Sequence, residues 1–147
     1  MNIDQLRKEL EADEGCKYEI YLDHLGYPTF GIGHLITKQD EEFGEPVGTP
    51  ISEERVKDAF EQDIDIVLED CDDLFEYFDT CPEEVQLICA NMCFNLGYPR
   101  LSKFENFRDA VDNEDWQKAA DEMVDSRWYR QVTNRAERLV QRMRAVE

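Results

Sequence analysis

The sequence predicts an α+β fold, a small antiparallel β lobe and a larger helical lobe joined by a long helix, and three observations carry this. Residues 16–37 hold strand and turn chemistry, with Tyr18, Ile20 and Leu22 alternating before Gly26, Pro28, Gly31 and Gly33. From residue 52 onward apolar residues recur at helical spacing. The 147 residues suit one domain with a core of its own. The expected β lobe covers about residues 14–52, and the helical lobe residues 1–13 plus 53–147.

The first element is a short helix over residues 2–13. Ile3, Leu6 and Leu10 follow helical spacing, and Gly15 can stop the helix in a left-handed conformation. The sheet of residues 16–37 comes next, then a polar loop over 38–51 with Gly44, Pro46, Gly48 and Pro50. Ser52, followed by Glu53 and Glu54, reads as the N-cap of the long helix. Its apolar stripe is Val56, Phe60, Ile64, Val67, Leu68 and Cys71. Thr80-Cys81-Pro82-Glu83 and Ser102-Lys103-Phe104-Glu105 each match a capping box. The first box opens a helix that carries Val85, Ile88, Cys89, Met92 and Leu96 and stops at Gly97. Further helices are expected near 103–112, 114–124 and 133–144.

Charge and cysteine content narrow the function. The net charge is −19, which makes nucleic acid a poor partner, because its backbone is held by Lys and Arg. Residues 39–85 hold eighteen acids against Arg55 and Lys57, while residues 127–147 hold six arginines against Glu137 and Glu147. The acidic block reads as a solvated face, with adaptation to high salt as the other account. Calcium binding fits poorly, since Asp63-Ile64-Asp65 and Asp70-Cys71-Asp72-Asp73 lack the glycine turn and terminal Glu of an EF-hand. No apolar run approaches the roughly 20 residues of a membrane span, so membrane insertion is not expected. Met1–Lys8 lacks the apolar core of a signal peptide. The five cysteines form no C-x-x-C pair and read as reduced, buried apolar side chains.

The chemistry concentrates between Glu14 and His34. Glu14 falls at a helix C-terminus, Asp23 on a strand or turn nine residues later, and Thr29 on the next strand. Such a hairpin can fold Asp23 and Thr29 toward the helix end. Two carboxylates facing across a cleft suit glycoside hydrolysis, one protonating the leaving oxygen and the other handling water or the anomeric carbon. The negative end of the helix dipole keeps a proton available on Glu14. With 35 acids in the chain, spacing alone also fits two ordinary surface carboxylates.

The pattern of Glu14, Asp23, Thr29 and Gly31-Ile32-Gly33-His34 resembles the T-even phage lysozymes of glycoside hydrolase family 24. The likeness continues through Phe60-Glu61-Gln62-Asp63, Ala90–Gly97, Trp116–Ala120 and Ser126–Arg138, in collinear order over nearly the whole chain. It implies a lysozyme-like fold and an inverting muramidase that cuts the β-1,4 bond from N-acetylmuramic acid to N-acetylglucosamine in bacterial peptidoglycan. Glu14 would be the general acid, and Asp23 with Thr29 would position the attacking water. Leu35 and Phe94 match cleft-lining positions, Arg135 an arginine that pairs with the catalytic glutamate, and His34 with Asp63 a structural ion pair. Phe107 and Glu122 depart from polar contact positions of the family, which bears on sugar subsites and not on the acid and water-positioning pair.

The resemblance also implies that no metal or organic cofactor takes part, because two carboxylates supply both proton transfers. It further implies a monomer, expected as an endolysin made in the host cytoplasm and reaching the wall through holin pores, with virion-associated use equally open. A lytic transglycosylase and a non-catalytic wall-binding homologue are the competing classes. The first needs no aspartate for water and the second predicts loss of a member of the Glu–Asp–Thr set, whereas all three residues are present.

Overall fold

A computed structural model describes all residues, 1–147, and shows the α+β class expected. The chain forms eight α-helices, a three-stranded antiparallel sheet and a short 3-10 turn. Helix α1 spans Ile3–Glu14, the strands are β1 (Lys17–Leu22), β2 (Pro28–Gly31) and β3 (His34–Leu35), and the 22-residue α2 spans Glu53–Leu74. After the 3-10 turn Phe78–Thr80 come α3 (Glu83–Leu96), α4 (Tyr98–Ser102), α5 (Glu105–Asp112), α6 (Trp116–Val124), α7 (Arg127–Gln131) and α8 (Thr133–Arg144). No helix is long and apolar enough to cross a membrane. The chain divides into two compact units, Arg7–Asp65 and Met1–Leu6 with Ile66–Glu147, so that α1 and α2 each begin in one unit and end in the other.

In the unit Arg7–Asp65, Gly15 ends α1 in the left-handed region at φ +73, its N–H donating to the Glu11 carbonyl at 2.9 Å. Only glycine adopts this conformation without a Cβ penalty, so the helix stops with Glu14 as its last residue. The strands lie in the order β1-β2-β3. Lys17 pairs with Gly31 and Tyr21 with Thr29, four residues along β1 against two along β2, so β1 is bulged between them. The bulged stretch satisfies its backbone on the other side. Ile20 N–H donates to Thr49 O (3.0 Å), Gly48 N–H to Ile20 O (2.8 Å) and Ile51 N–H to Tyr18 O (2.9 Å). The polar loop 38–51 therefore closes back on β1. Leu10, Ile20, Phe30, Ile36, Ile51, Val56, Phe60 and Ile64 are buried.

In the other unit, α3 is buried on every side from Val85 to Cys93. It stops at Gly97, whose φ is +81. An aromatic cluster of Phe75, Phe78, Phe104 and Phe107 packs with edge-on and stacked rings. Phe107, at a position where a polar sugar contact would stand, is fully buried in that cluster. Trp128 is buried and its Nε1–H donates to Asn95 Oδ1 at 2.7 Å.

Three expectations need correction. Ser52 caps α2, its Oγ accepting from the Arg55 N–H at 3.1 Å, but neither capping box forms. Thr80 ends the 3-10 turn and its hydroxyl donates to the Tyr77 carbonyl, leaving Pro82 at the head of α3. Ser102 ends α4 and donates to the Pro99 carbonyl at 2.7 Å. In both cases a nearby carbonyl three residues back claims the hydroxyl first. The cysteines are all free, but Cys16 and Cys81 are only half-buried, unlike Cys71, Cys89 and Cys93.

These caps separate by mutation. Ser52→Ala is expected to destabilise the protein by about 1 kcal/mol. Thr80→Ala, which removes no cap, is expected to change stability by under ~0.5 kcal/mol. Urea unfolding midpoints measure both, and equal losses would contradict the assignment.

Candidate active site

Glu14, Asp23, Thr29, His34, Leu35 and Asp63 all fall in the unit Arg7–Asp65. Glu14 ends α1 and is half-buried. Its carboxyl lies against the turn between β2 and β3. A Cβ built on Gly33 would stand 2.7 Å from Glu14 Oε1 and 2.9 Å from its Cδ. Gly33 also has φ +64, so both conformation and space demand glycine there.

Asp23 opens the turn from β1 to β2 and is half-buried. Its Oδ1 accepts from the Leu25 N–H at 2.9 Å and the Tyr27 N–H at 2.8 Å, while its own N–H donates to the Tyr27 carbonyl at 2.9 Å. This Asx turn fixes the carboxylate plane and occupies one oxygen, which leaves Oδ2 for another donor. Thr29 is 3% exposed, and its hydroxyl donates to Tyr27 O at 2.9 Å. Its proton is committed, so toward anything else the Thr29 oxygen is an acceptor.

The sheet register assembles a row. Tyr21 pairs with Thr29, and Thr29 with Leu35. Residues directly opposite share a face, so Tyr21, Thr29 and Leu35 stand side by side across all three strands. Leu35 is 49% exposed, an apolar surface at the edge of the row. Tyr21 was not singled out from sequence. Its phenol is half-buried, accepts from the Gly33 backbone N–H, and carries the Lys17 ammonium 4.5 Å from the ring centroid. Burial pushes the phenol pKa up, and the nearby charges of Glu14 and Asp23 add to the rise. The signal in the sequence was period two: Tyr21 stands two residues before Asp23 on a strand.

Behind the turn, His34 is 8% exposed and held by two carboxylates. Nδ1 lies 2.7 Å from Asp63 Oδ2, and Nε2 lies 3.0 Å from Asp40 Oδ2. Asp63 matches the expected pair, whereas Asp40 was read as part of a solvated acidic face. That expectation fails for Asp40 and Glu42, which share Arg55. Its Nε and Nη2 grip Glu42 at 2.9 and 3.0 Å, and Nη2 reaches Asp40 Oδ1 at 3.1 Å. Burial works against a charged His34, but the hydrogen bonds and charges of Asp63 and Asp40 outweigh it, so the imidazole pKa is raised. Burial likewise opposes a charged Asp40, yet the Thr37 N–H, His34 and Arg55 bring its pKa down.

Phe94 and Arg135 belong to the other unit. Phe94 is half-buried on α3. Arg135, on α8, is buried, and its Nε donates to Asn91 Oδ1 at 2.9 Å.

Comparison with known proteins gives a family. The sequence model of the phage lysozyme family matches residues 11–147. A probable T4-type lysozyme of Dictyostelium discoideum is 29% identical over 157 aligned residues, covering 94% of this chain and 92% of that protein. The pre-baseplate central spike protein Gp5 of Enterobacteria phage T4 is 30% identical over 148 aligned residues, 88% of this chain and 26% of the spike protein. The peptidoglycan hydrolase gp36 of Pseudomonas phage phiKMV is 28% identical over 137 aligned residues, 93% of this chain and 15% of that protein. The chain therefore spans most of the Dictyostelium protein but only 26% and 15% of the two phage proteins.

Two outcomes follow from the turn and its anchor. The raised pKa of His34 means its contribution is complete below the unfolded value near ~6.5 and fades as pH climbs through the folded value. The lowered pKa of Asp40 means its contribution is complete above the unfolded value near ~4 and fades as pH falls. His34→Asn should therefore lower the thermal midpoint most between about pH 4 and 6.5, by roughly 10 °C, as breaking a part-buried ion pair costs about 3 kcal/mol. A pH-independent loss in calorimetry would refute this. Gly33→Ala should cost about 1–2 kcal/mol of stability. Because it displaces Glu14, it should also cut kcat roughly 10- to 100-fold.

Proposed function

The chain belongs to the phage lysozyme family and is a glycoside hydrolase of the lysozyme type, and from that premise we propose that it is a muramidase of bacterial peptidoglycan. The bond cut is the β-1,4 link from N-acetylmuramic acid to N-acetylglucosamine. Glu14 is the general acid, and Asp23 with Thr29 orients the attacking water. The observation that carries this assignment is that the Glu14 carboxyl lies against the Gly33 turn of the same sheet whose β1–β2 hairpin fixes the Asp23 carboxylate in an Asx turn and holds Thr29.

The chemistry follows from the donor and acceptor inventory. Glu14 gives its proton to the glycosidic oxygen as the bond to the anomeric carbon breaks. A water molecule donating one hydrogen to Asp23 Oδ2 and the other to the Thr29 hydroxyl turns its lone pair outward to the anomeric carbon. As it attacks, Asp23 takes its proton, and the sugar is released with inverted configuration. Thr29 serves as an acceptor because its own proton is spent on Tyr27 O. Leu35, exposed beside Thr29, offers an apolar surface to a sugar face. On the same proposal the biological outcome is bacteriolysis, in keeping with the wall-degrading activity named for the phiKMV relative.

Digestion of purified peptidoglycan tests the proposal directly. Hydrolysis adds one water and leaves reducing N-acetylmuramic acid ends in the muropeptides. Glu14→Gln is expected to lower kcat roughly 10²- to 10⁴-fold, the usual worth of a positioned general acid. Products carrying 1,6-anhydro sugars, or a Glu14→Gln variant with wild-type turnover, would sink it.

A further inference from the structure

The turn from β1 to β2 carries a side chain that the chemistry described so far leaves unused. Tyr27 is 52% exposed, an aromatic ring left half in water at the end of a hairpin. Folding gains little from a ring so placed, since the hydrophobic gain follows the area removed from water. Its backbone, by contrast, is held on both sides. The Tyr27 N–H donates to Asp23 Oδ1 at 2.8 Å. Its carbonyl accepts twice, from the Asp23 N–H at 2.9 Å and from the Thr29 hydroxyl at 2.9 Å. Pro28 follows, and a proline holds the residue before it to extended backbone. An exposed ring thus stands on a peptide tied to both residues that orient water in the proposed reaction.

The register says on which side of the sheet the ring stands. Tyr21 pairs with Thr29 and Leu22 with Pro28, so the next pair along the ladder is Asp23 with Tyr27. Side chains two apart on a strand share a face, as do residues directly opposite. Tyr27 therefore lies on the face that carries Asp23, Thr29 and Leu35. Leu35 pairs with Thr29 and is 49% exposed, which makes it the diagonal neighbour of Tyr27. Thr29 is thus flanked by two apolar surfaces, a flat ring along its own strand and an aliphatic side chain across the sheet. A pyranose unit matches this arrangement, because its faces carry C–H groups and its rim carries hydroxyls that donate to acceptors such as Asp23.

We propose that Tyr27 is a substrate-binding residue whose ring takes one face of a pyranose unit of the glycan beside Asp23 and Thr29. The inference rests on the assignment of those two residues given above, and it names a contact for the sugar that the assignment lacks. Because the peptide of Tyr27 is fixed before substrate arrives, the ring gives up only side-chain rotation on binding. The stacked contact is the same in the bound substrate and in the transition state, so it contributes to binding and not to turnover.

Tyr27→Ala removes the ring and leaves the hydrogen bonds of the peptide in place. KM on soluble, uncross-linked glycan fragments is expected to rise about 3- to 10-fold, the usual worth of an aromatic contact. The kcat stays within about twofold. Tyr27→Phe and Tyr27→Trp keep a ring and hold KM within about twofold of wild type. Tyr77 is equally exposed at 52% but lies in the other unit, so Tyr77→Ala leaves KM unchanged. An unchanged KM in Tyr27→Ala, a loss carried by kcat alone, or the same rise in Tyr77→Ala overturns the proposal. If Tyr27→Ala folds poorly, a fluorotyrosine placed at position 27 of Glu14→Gln reads the contact without turnover. Its fluorine NMR resonance is expected to move and saturate as glycan fragments are added, and a resonance that stays still overturns the proposal. Glu14→Gln also separates the two levels. Wild-type turnover in that variant sinks the function assignment itself, while an inactive Glu14→Gln beside a Tyr27→Ala of wild-type KM sinks only the role of Tyr27.

Discussion

A backbone turn pressed against a carboxyl group is the constraint on which the rest of the unit Arg7–Asp65 depends. Gly33 reaches within contact of Glu14 because it has no side chain and tolerates φ +64. Everything around it holds that approach in place. Gly15 ends α1 so that Glu14 is the last helical residue, and Gly31 lets the far side of the turn close on Val56 of α2, where a Cβ would come within 2.9 Å. His34 follows Gly33 directly, and its two carboxylate partners come from α2 and from the 38–51 loop. The turn is thus pinned from a helix and from a loop at once. Interiors transmit such constraints because packed groups have few alternative arrangements.

The net charge of −19 takes on a different meaning beside these contacts. A protein so acidic faces self-repulsion, and most of its carboxylates are exposed. Asp40, Glu42 and Asp63 are not simply surface charge. They wrap one imidazole and one guanidinium, Arg55, which also sits 5.3 Å from the centroid of the Phe30 ring. Phe30 packs in turn on His34 at 4.8 Å between ring centroids. An exposed pair contributes little, but here Asp40 is shared between both cations and Phe30 packs against each, so each pair strengthens the geometry of the next.

Much of this was legible from the sequence wherever a local signal had no rival. Gly15 and Gly97 end their helices and Ser52 caps α2, because in each case the backbone offers that residue one favourable conformation. Thr80 and Ser102 show the opposite. Their spacing fits a capping box, but each has a carbonyl three residues back that its hydroxyl reaches without reorganisation. The five-residue helices α4 and α7 escaped notice since so few residues complete no apolar period. Glu14, Asp23 and Thr29 stand out through the family resemblance and not through spacing alone, and the bulge in β1 leaves no mark in composition. Asp40 was hidden for a related reason. A carboxylate in a polar loop looks solvated until the fold brings a histidine to it, and that meeting is set by the closure of residues 48–51 on β1.

The same closure explains why the chemistry can be so sparing of residues. Asp23 spends one oxygen on its own turn, and Thr29 spends its proton on the neighbouring carbonyl. Each is held in place by the hydrogen bonds it makes locally, and each keeps a lone pair for another donor. On the proposed assignment, two such acceptors would dictate how a water sits, removing the reorganisation a flexible pair would require in the transition state.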